Sequence, residues 1–165
     1  MLSLRTKTVY HRICSRNTSR IFIRAINTIS DEVDDMVAAR NVLGGSLENC
    51  CMAPKTGYYR DGFCKTDHND QVKHVVCAKM TLEFLEFTKS KGNDLMTPAP
   101  HYSFPGLKPG DHWCLCALRW KEALNAGKAP PVYLRRTNIK ALEYVSLEDL
   151  KKHAVPDESG STVEF

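Results

Sequence analysis

Between Pro98 and Gly110 the chain carries four prolines and two glycines in thirteen residues. No helix runs through such text, because each proline fixes its own φ and lacks the amide that a helix interior needs. Phe104-Pro105-Gly106-Leu107-Lys108-Pro109-Gly110 is shaped like two consecutive turns. A second stretch, Glu48 to Asp70, is broken by Pro54, Gly57, Asp61-Gly62 and Asp67-His68-Asn69-Asp70, all residue types that favour turns. Two long loops leave room only for short regular elements around them. The expected fold class is therefore α+β, a small sheet packed with about three helices in a single compact domain with long Pro/Gly-rich loops.

The remaining text supplies the elements. Val72 to Met80, with Val75, Val76 and Cys77, reads as a strand. Thr81 can cap a following helix in which Leu82, Leu85, Phe84 and Phe87 supply apolar faces and which Gly92 ends. His112 to Ala117 reads as extended, or as the first turn of a helix over Leu118 to Ala126 that stops at Gly127. Pro130-Pro131 resets the chain into a strand at Val132 to Arg136, and Ala141 to Val145 is a second short strand. Tyr58-Tyr59-Arg60 is a short extended piece within the first loop. Ser146, with Asp149 three residues on, starts a last helix that ends before Pro156. His74-Val75-Val76-Cys77-Ala78 also echoes His112 to Ala117, each placing a Cys-Ala pair where an extended piece turns into a helix. We read the echo as a chance likeness rather than a duplication.

At 165 residues the chain has room for one domain of ordinary size. Its charge is unevenly placed. Residues 1–30 carry Arg5, Lys7, Arg12, Arg16, Arg20 and Arg24 with no acidic residue, together with eight Ser and Thr. Removing those six of the 23 basic residues leaves 17 against 19 acidic ones, so the body is slightly acidic. Nucleic-acid binding loses its support, since phosphate contacts need a basic face. No apolar run approaches the ~18 residues of a membrane helix, and we expect a soluble protein without membrane partners. An Arg-rich, Ser-rich, acid-poor leader without a compact apolar block is the composition of an organellar import signal. Its reliance on arginine favours mitochondria over plastids, and cleavage is expected between Arg24 and Asp35. The alternative is a basic tail with no import role. The expected organisation is a transit peptide over 1–30, read by the import machinery, and a short amphipathic remnant over 31–40. A globular domain over 41–155 and a polar tail over 156–165 complete it.

Seven cysteines is a high count. Cys14 leaves with the leader, and Cys50, Cys51, Cys64, Cys77, Cys114 and Cys116 remain. In a reducing mitochondrial matrix these are expected as free thiols. Three uses stay open. Cys77, Cys114 and Cys116 lie in the most apolar text, where burial as small hydrophobes suffices. Zinc wants four Cys or His ligands in tetrahedral array, and Cys50, Cys64, Cys114 and Cys116 are the candidate set, although no Cys-x-x-Cys pair occurs. Reactive sulfur is the third use, because Cys77 and Cys116 fall near helix starts and His74, His101 and His112 are available as bases.

Three polar clusters carry a sharper and a blander reading. Arg60 with Asp61 offers an anion-binding arginine beside a carboxylate, while Asp61-Gly62 is foremost a turn. Asn93 and Asp94 after Gly92 suit an Asx turn or polar contact in a cleft beside the proline-rich loop, to which Asp111 is adjacent. Arg119 between Trp113 and Trp120 suits stacking or an ion pair with Glu122 or Asp94, besides its place among the candidate ligand contacts.

The runs Asn41-Val42-Leu43-Gly44-Gly45, Thr56-Gly57-Tyr58-Tyr59-Arg60-Asp61-Gly62, Val76-Cys77-Ala78, Gly92-Asn93-Asp94-Leu95, Phe104 through Asp111 and Trp113-Cys114-Leu115-Cys116-Ala117 resemble a known family. It is the domain of unknown function catalogued as twenty-two thirty-seven, and the likeness covers roughly Asn41 to Ala154. The resemblance implies a bacterial-type domain carrying an added leader, and it brings no activity. Similar proteins often show a double cysteine after the Asp-Gly turn, where this chain has Phe63-Cys64. The expected function is that of a mitochondrial Cys/His metal-binding or thiol-containing module. The alternatives are a small enzyme or ligand binder using Arg60, Asp94, Asp111 and Arg119, and an accessory subunit held by protein partners in a larger mitochondrial assembly.

Overall fold

The computed structural model describes residues 39–156, so the expected leader, most of the amphipathic stretch after it and the tail beyond Pro156 lie outside the described residues. The described part is an α+β domain. Strand β1, His74–Lys79, pairs antiparallel with β2, His112–Cys116. Helix α1, Leu82–Ser90, follows β1; α2, Ala117–Asn125, follows β2 without a loop; α3, Leu147–Lys152, closes the fold.

Local chemistry sets these boundaries. Thr81 Oγ1 accepts from the Phe84 amide at 3.1 Å and starts α1, satisfying one of the amides that a helix N-terminus leaves open. The Ser146 hydroxyl does the same for Asp149 at the start of α3. Phe84 and Leu85 of α1, Trp120 and Ala123 of α2 and Leu150 of α3 are all wholly buried against one face of the sheet. The Trp120 indole donates to the Pro130 carbonyl at 3.0 Å, so its one polar atom is satisfied inside the core. Beyond Lys79 the two strands stay together through Met80 N to Asp111 O and Gly110 N to Met80 O. The proline-rich loop thus returns directly to the sheet. No helix among the described residues is long and apolar enough to cross a membrane.

Two expected strands are corrected. Val132 makes isolated bridges to Ala78 and Ala154, after which Leu134–Arg136 forms a 3-10 turn, and Ile139–Glu143 is a second 3-10 turn in place of the strand expected over Ala141 to Val145. Pro130 and Pro131 supply no amides, so a ladder cannot build through them. Asn138 then accepts from the Lys140 amide, which favours a turn over extension. Tyr58-Tyr59-Arg60 is also no extended piece. Arg60 sits in the left-handed region at φ 54° and its amide donates back to Gly57 O.

Candidate functional site

The register of the two strands decides what each face presents. Lys79 is opposite His112, Cys77 opposite Cys114, and His74 opposite Cys116, with a bulge between His74 and Val76. Alternation along a strand would put His74 and Cys77 on opposite faces, but the extra bulge residue brings them to the same one. One face therefore carries Trp113, Leu115, Val76 and Ala78 into the main core. The other carries a row of three cross-strand pairs, His112 with Lys79, Cys114 with Cys77, and Cys116 with His74.

In the middle pair the amides point outward. Cys77 N donates to Thr137 Oγ1 at 3.1 Å and Cys114 N to Thr56 Oγ1 at 2.8 Å, and both threonines are wholly buried. The loop over Cys50 to Cys64 lies on this pair. It is closed by Gly62, whose carbonyl accepts from both Cys50 N and Cys51 N. Gly57 is at φ 91°, and a Cβ there would run into the Phe63 carbonyl oxygen, so only glycine fits.

This loop delivers Cys50 to Cys77 and Cys64 to Cys114 as two disulfides, with Cα separations of 5.8 and 5.3 Å. The expectation of free thiols throughout is corrected for these four; Cys51 and Cys116 are the free ones. Its premise was the compartment, whereas the pairing follows from proximity, because each strand cysteine has a loop cysteine within the usual disulfide span. All four are at most 2% exposed and share a small second core with Tyr133. Tyr133 OH contacts His112 Nε2 at 2.9 Å, and the Arg136 guanidinium lies 4.6 Å above its ring. The sulfurs of Cys50, Cys64 and Cys77 all lie within 4.8 Å of one another. The structure thus groups Cys50, Cys64 and Cys114 of the expected metal set with Cys77, and puts Cys116 elsewhere along the row.

At that far end, Asp70 is wholly buried and accepts twice from His74, from its amide at 2.7 Å and at 2.8 Å from Nδ1. Cys116 occupies the N-cap position of α2. Burial, then the charge of Asp70, pushes its thiol up to about 11, with Arg119 acting in the opposite direction. The ring of Tyr58 stacks on His74 at 6.0 Å.

The polar candidates are engaged locally. Arg60 lies 4.8 Å above the Trp113 ring, and burial lowers its pKa. Asp61 accepts from the Phe63 amide and pairs with Lys65. Asn93 donates to Thr88 Oγ1, and Asp94 accepts from Met96 N, Thr97 N and Thr97 Oγ1. Asp111 accepts from Lys108 N, and Arg119 pairs with Glu122 at 3.0 Å. Among the described residues no hydrogen bond or ion pair joins any two of these six.

A family model described as an uncharacterized protein conserved in bacteria, DUF2237, matches residues 40–154. The chain belongs to this family. No curated protein matches it. The matched span takes in every residue of the cysteine-bearing sheet face, so this face is part of the DUF2237 domain itself. Sequence reasoning did not see the roles of Thr56, Thr137, Asp70 and Tyr133 in building it. The repeated Cys-Ala was a signal, misaligned: it matches Cys77 with Cys116, whereas antiparallel pairing sets Cys77 against Cys114.

Proposed function

We propose that this DUF2237 domain is a redox-governed zinc-thiolate module of the mitochondrial matrix. The observation that carries the reading is the crowding of Cys50, Cys64 and Cys77 sulfurs within 4.8 Å, with Cys114 bonded to Cys64. Zinc–thiolate bonds of ~2.3 Å in a tetrahedron set sulfurs about 3.8 Å apart, so small side-chain rotations bring four reduced sulfurs onto one ion. Each disulfide takes two electrons and two protons from a dithiol reductant, which leaves as a disulfide. Zinc then displaces the four thiol protons. The arginine-rich first thirty residues support delivery to the matrix, whose reducing poise favours the thiolate form. In an oxidising setting the same sulfurs fasten the loop to the sheet.

The test is to reduce the full-length protein with a phosphine, incubate it with zinc, remove unbound metal by gel filtration and measure zinc by elemental analysis. About one zinc per chain is expected, falling to background in Cys77→Ser and in Cys114→Ser. Reduced wild type that emerges free of zinc and melts unchanged with or without the metal overturns the reading and leaves the four sulfurs as staples only.

A further inference from the structure

We propose that the far end of the same sheet face is a second, separate site: Cys116 is a nucleophile toward activated acyl groups, esters or thioesters, with His74 as its base and Asp70 as the positioning residue behind it. Three observations carry this, none of which involves the four bonded cysteines. The register sets His74 opposite Cys116 across the sheet, at the end of the ladder that carries the bulge. Asp70 holds Nδ1 at 2.8 Å from inside the domain, which fixes the ring and leaves Nε2 as the nitrogen for the thiol. The carboxylate also accepts the His74 amide, so the base cannot swing away without breaking both bonds.

The third observation is where an oxyanion would go. Cys116 is the N-cap of the nine-residue α2 and its side chain makes no capping bond. The Ala117 amide is taken by Lys73 O at 3.0 Å, while Leu118 and Arg119 follow in the first turn of α2, where helix geometry supplies no intrahelical acceptor for the amides. Two adjacent first-turn N–H groups beside a nucleophile, at the positive end of a helix, are the donors acyl chemistry uses. The thiol is half-buried and His74 is 30% exposed, so an incoming carbonyl reaches both.

The step balances without an outside oxidant. His74 Nε2 takes the thiol proton as Sγ attacks the acyl carbon, and the oxyanion faces the Leu118 and Arg119 amides. Collapse expels the alcohol or thiol, which takes the proton from His74, and the acyl group stays on Cys116 as a thioester. Water, deprotonated by His74, then releases the carboxylic acid and restores the thiol.

Cys51, the other free cysteine among the described residues, is an internal control, since no hydrogen bond to a histidine or aspartate side chain joins it there. The test treats the full-length protein with p-nitrophenyl acetate, follows nitrophenolate release and maps acetyl groups by peptide mass spectrometry. Acetylation concentrated on Cys116 is expected, with the rate reduced at least about tenfold in His74→Gln and in Asp70→Asn, since a positioned base contributes roughly 10²–10⁴-fold. Nitrogen NMR of the His74 ring separates positioning from folding: Asp70→Asn should change the Nδ1-protonated tautomer while the melting transition stays cooperative. Equal acetylation of Cys51 and Cys116, or an undiminished rate in a folded His74→Gln, overturns the proposal. Zinc uptake is unaffected by either result, so the two readings fail independently.

Discussion

The Cys116 thiol holds its proton more tightly than an ordinary cysteine does, and that has a consequence for stability. Its thiol is raised from an ordinary 9.0 to about 11, chiefly by burial and then by the charge of Asp70. The folded state holds the proton more tightly than the unfolded chain does, so the associated stability is fully present below pH 9 and is lost as pH rises toward 11. In denaturant titrations, wild type should lose stability across that window faster than Cys116→Ala; parallel curves would show that the thiol does not report this environment. Tyr59 offers a comparison at higher pH, since its hydrogen bond to Asp67 raises it from 10.0 to about 12 and lowers Asp67 to about 2. Their hydrogen bond is exposed at the surface of the first loop, so the contribution of both groups is screened by solvent.

At the level of elements, the sheet is too small to be stable by itself: two strands are marginal in water without cover on a face. Helices α1 and α2 cover one face and the loop over Cys50 to Cys64 covers the other. The loop is fastened twice, by disulfides with sequence separations of 27 and 50, and in the chain-entropy account closures of that size contribute about 3.5 to 4 kcal/mol each. The two closures overlap, so the contributions do not simply add. Threonine hydroxyls complete the seam at both edges of the sheet. Thr137 is the more committed, accepting from Cys77 N and donating to Tyr133 O at 2.9 Å. Thr137→Val keeps the shape, removes both bonds and leaves a buried amide unpaired, and a loss of about 1–3 kcal/mol in urea unfolding is expected. A change below about 0.5 kcal/mol would mean that the amide finds another partner.

For the whole molecule, the partition of charge is the governing feature. Six basic residues and no acid occupy the first thirty positions, and the remainder is slightly acidic. If the first segment is an address, full-length protein incubated with energised mitochondria should become protease-protected and shorter, with a new N-terminus between residues 24 and 35. Replacing Arg5, Arg12, Arg16, Arg20 and Arg24 by Gln should abolish both changes. Protection without shortening would move the cut, whereas no protection would remove the matrix from the account and with it the reducing setting proposed for the thiolates.

Much of this was legible in the residues alone, where the physics is local. Thr81 and Ser146 cap helices because their hydroxyls reach amides three residues on, Gly92 and Gly127 end helices because they tolerate positive φ, and prolines forbid regular structure where they cluster. The α+β class followed from those short segments. What tertiary structure decided was pairing. The bulge at Val75 returns His74 to the face of Cys77, and antiparallel register opposes Cys77 to Cys114 and His74 to Cys116. The first loop then brings Cys50 and Cys64 onto the middle pair. Register depends on which hydrophobic face is buried and on the closure of loops far apart in the chain, quantities that no window of sequence contains. The residue types fixed what chemistry these sulfurs and imidazoles can do, and the fold alone chose which of them meet.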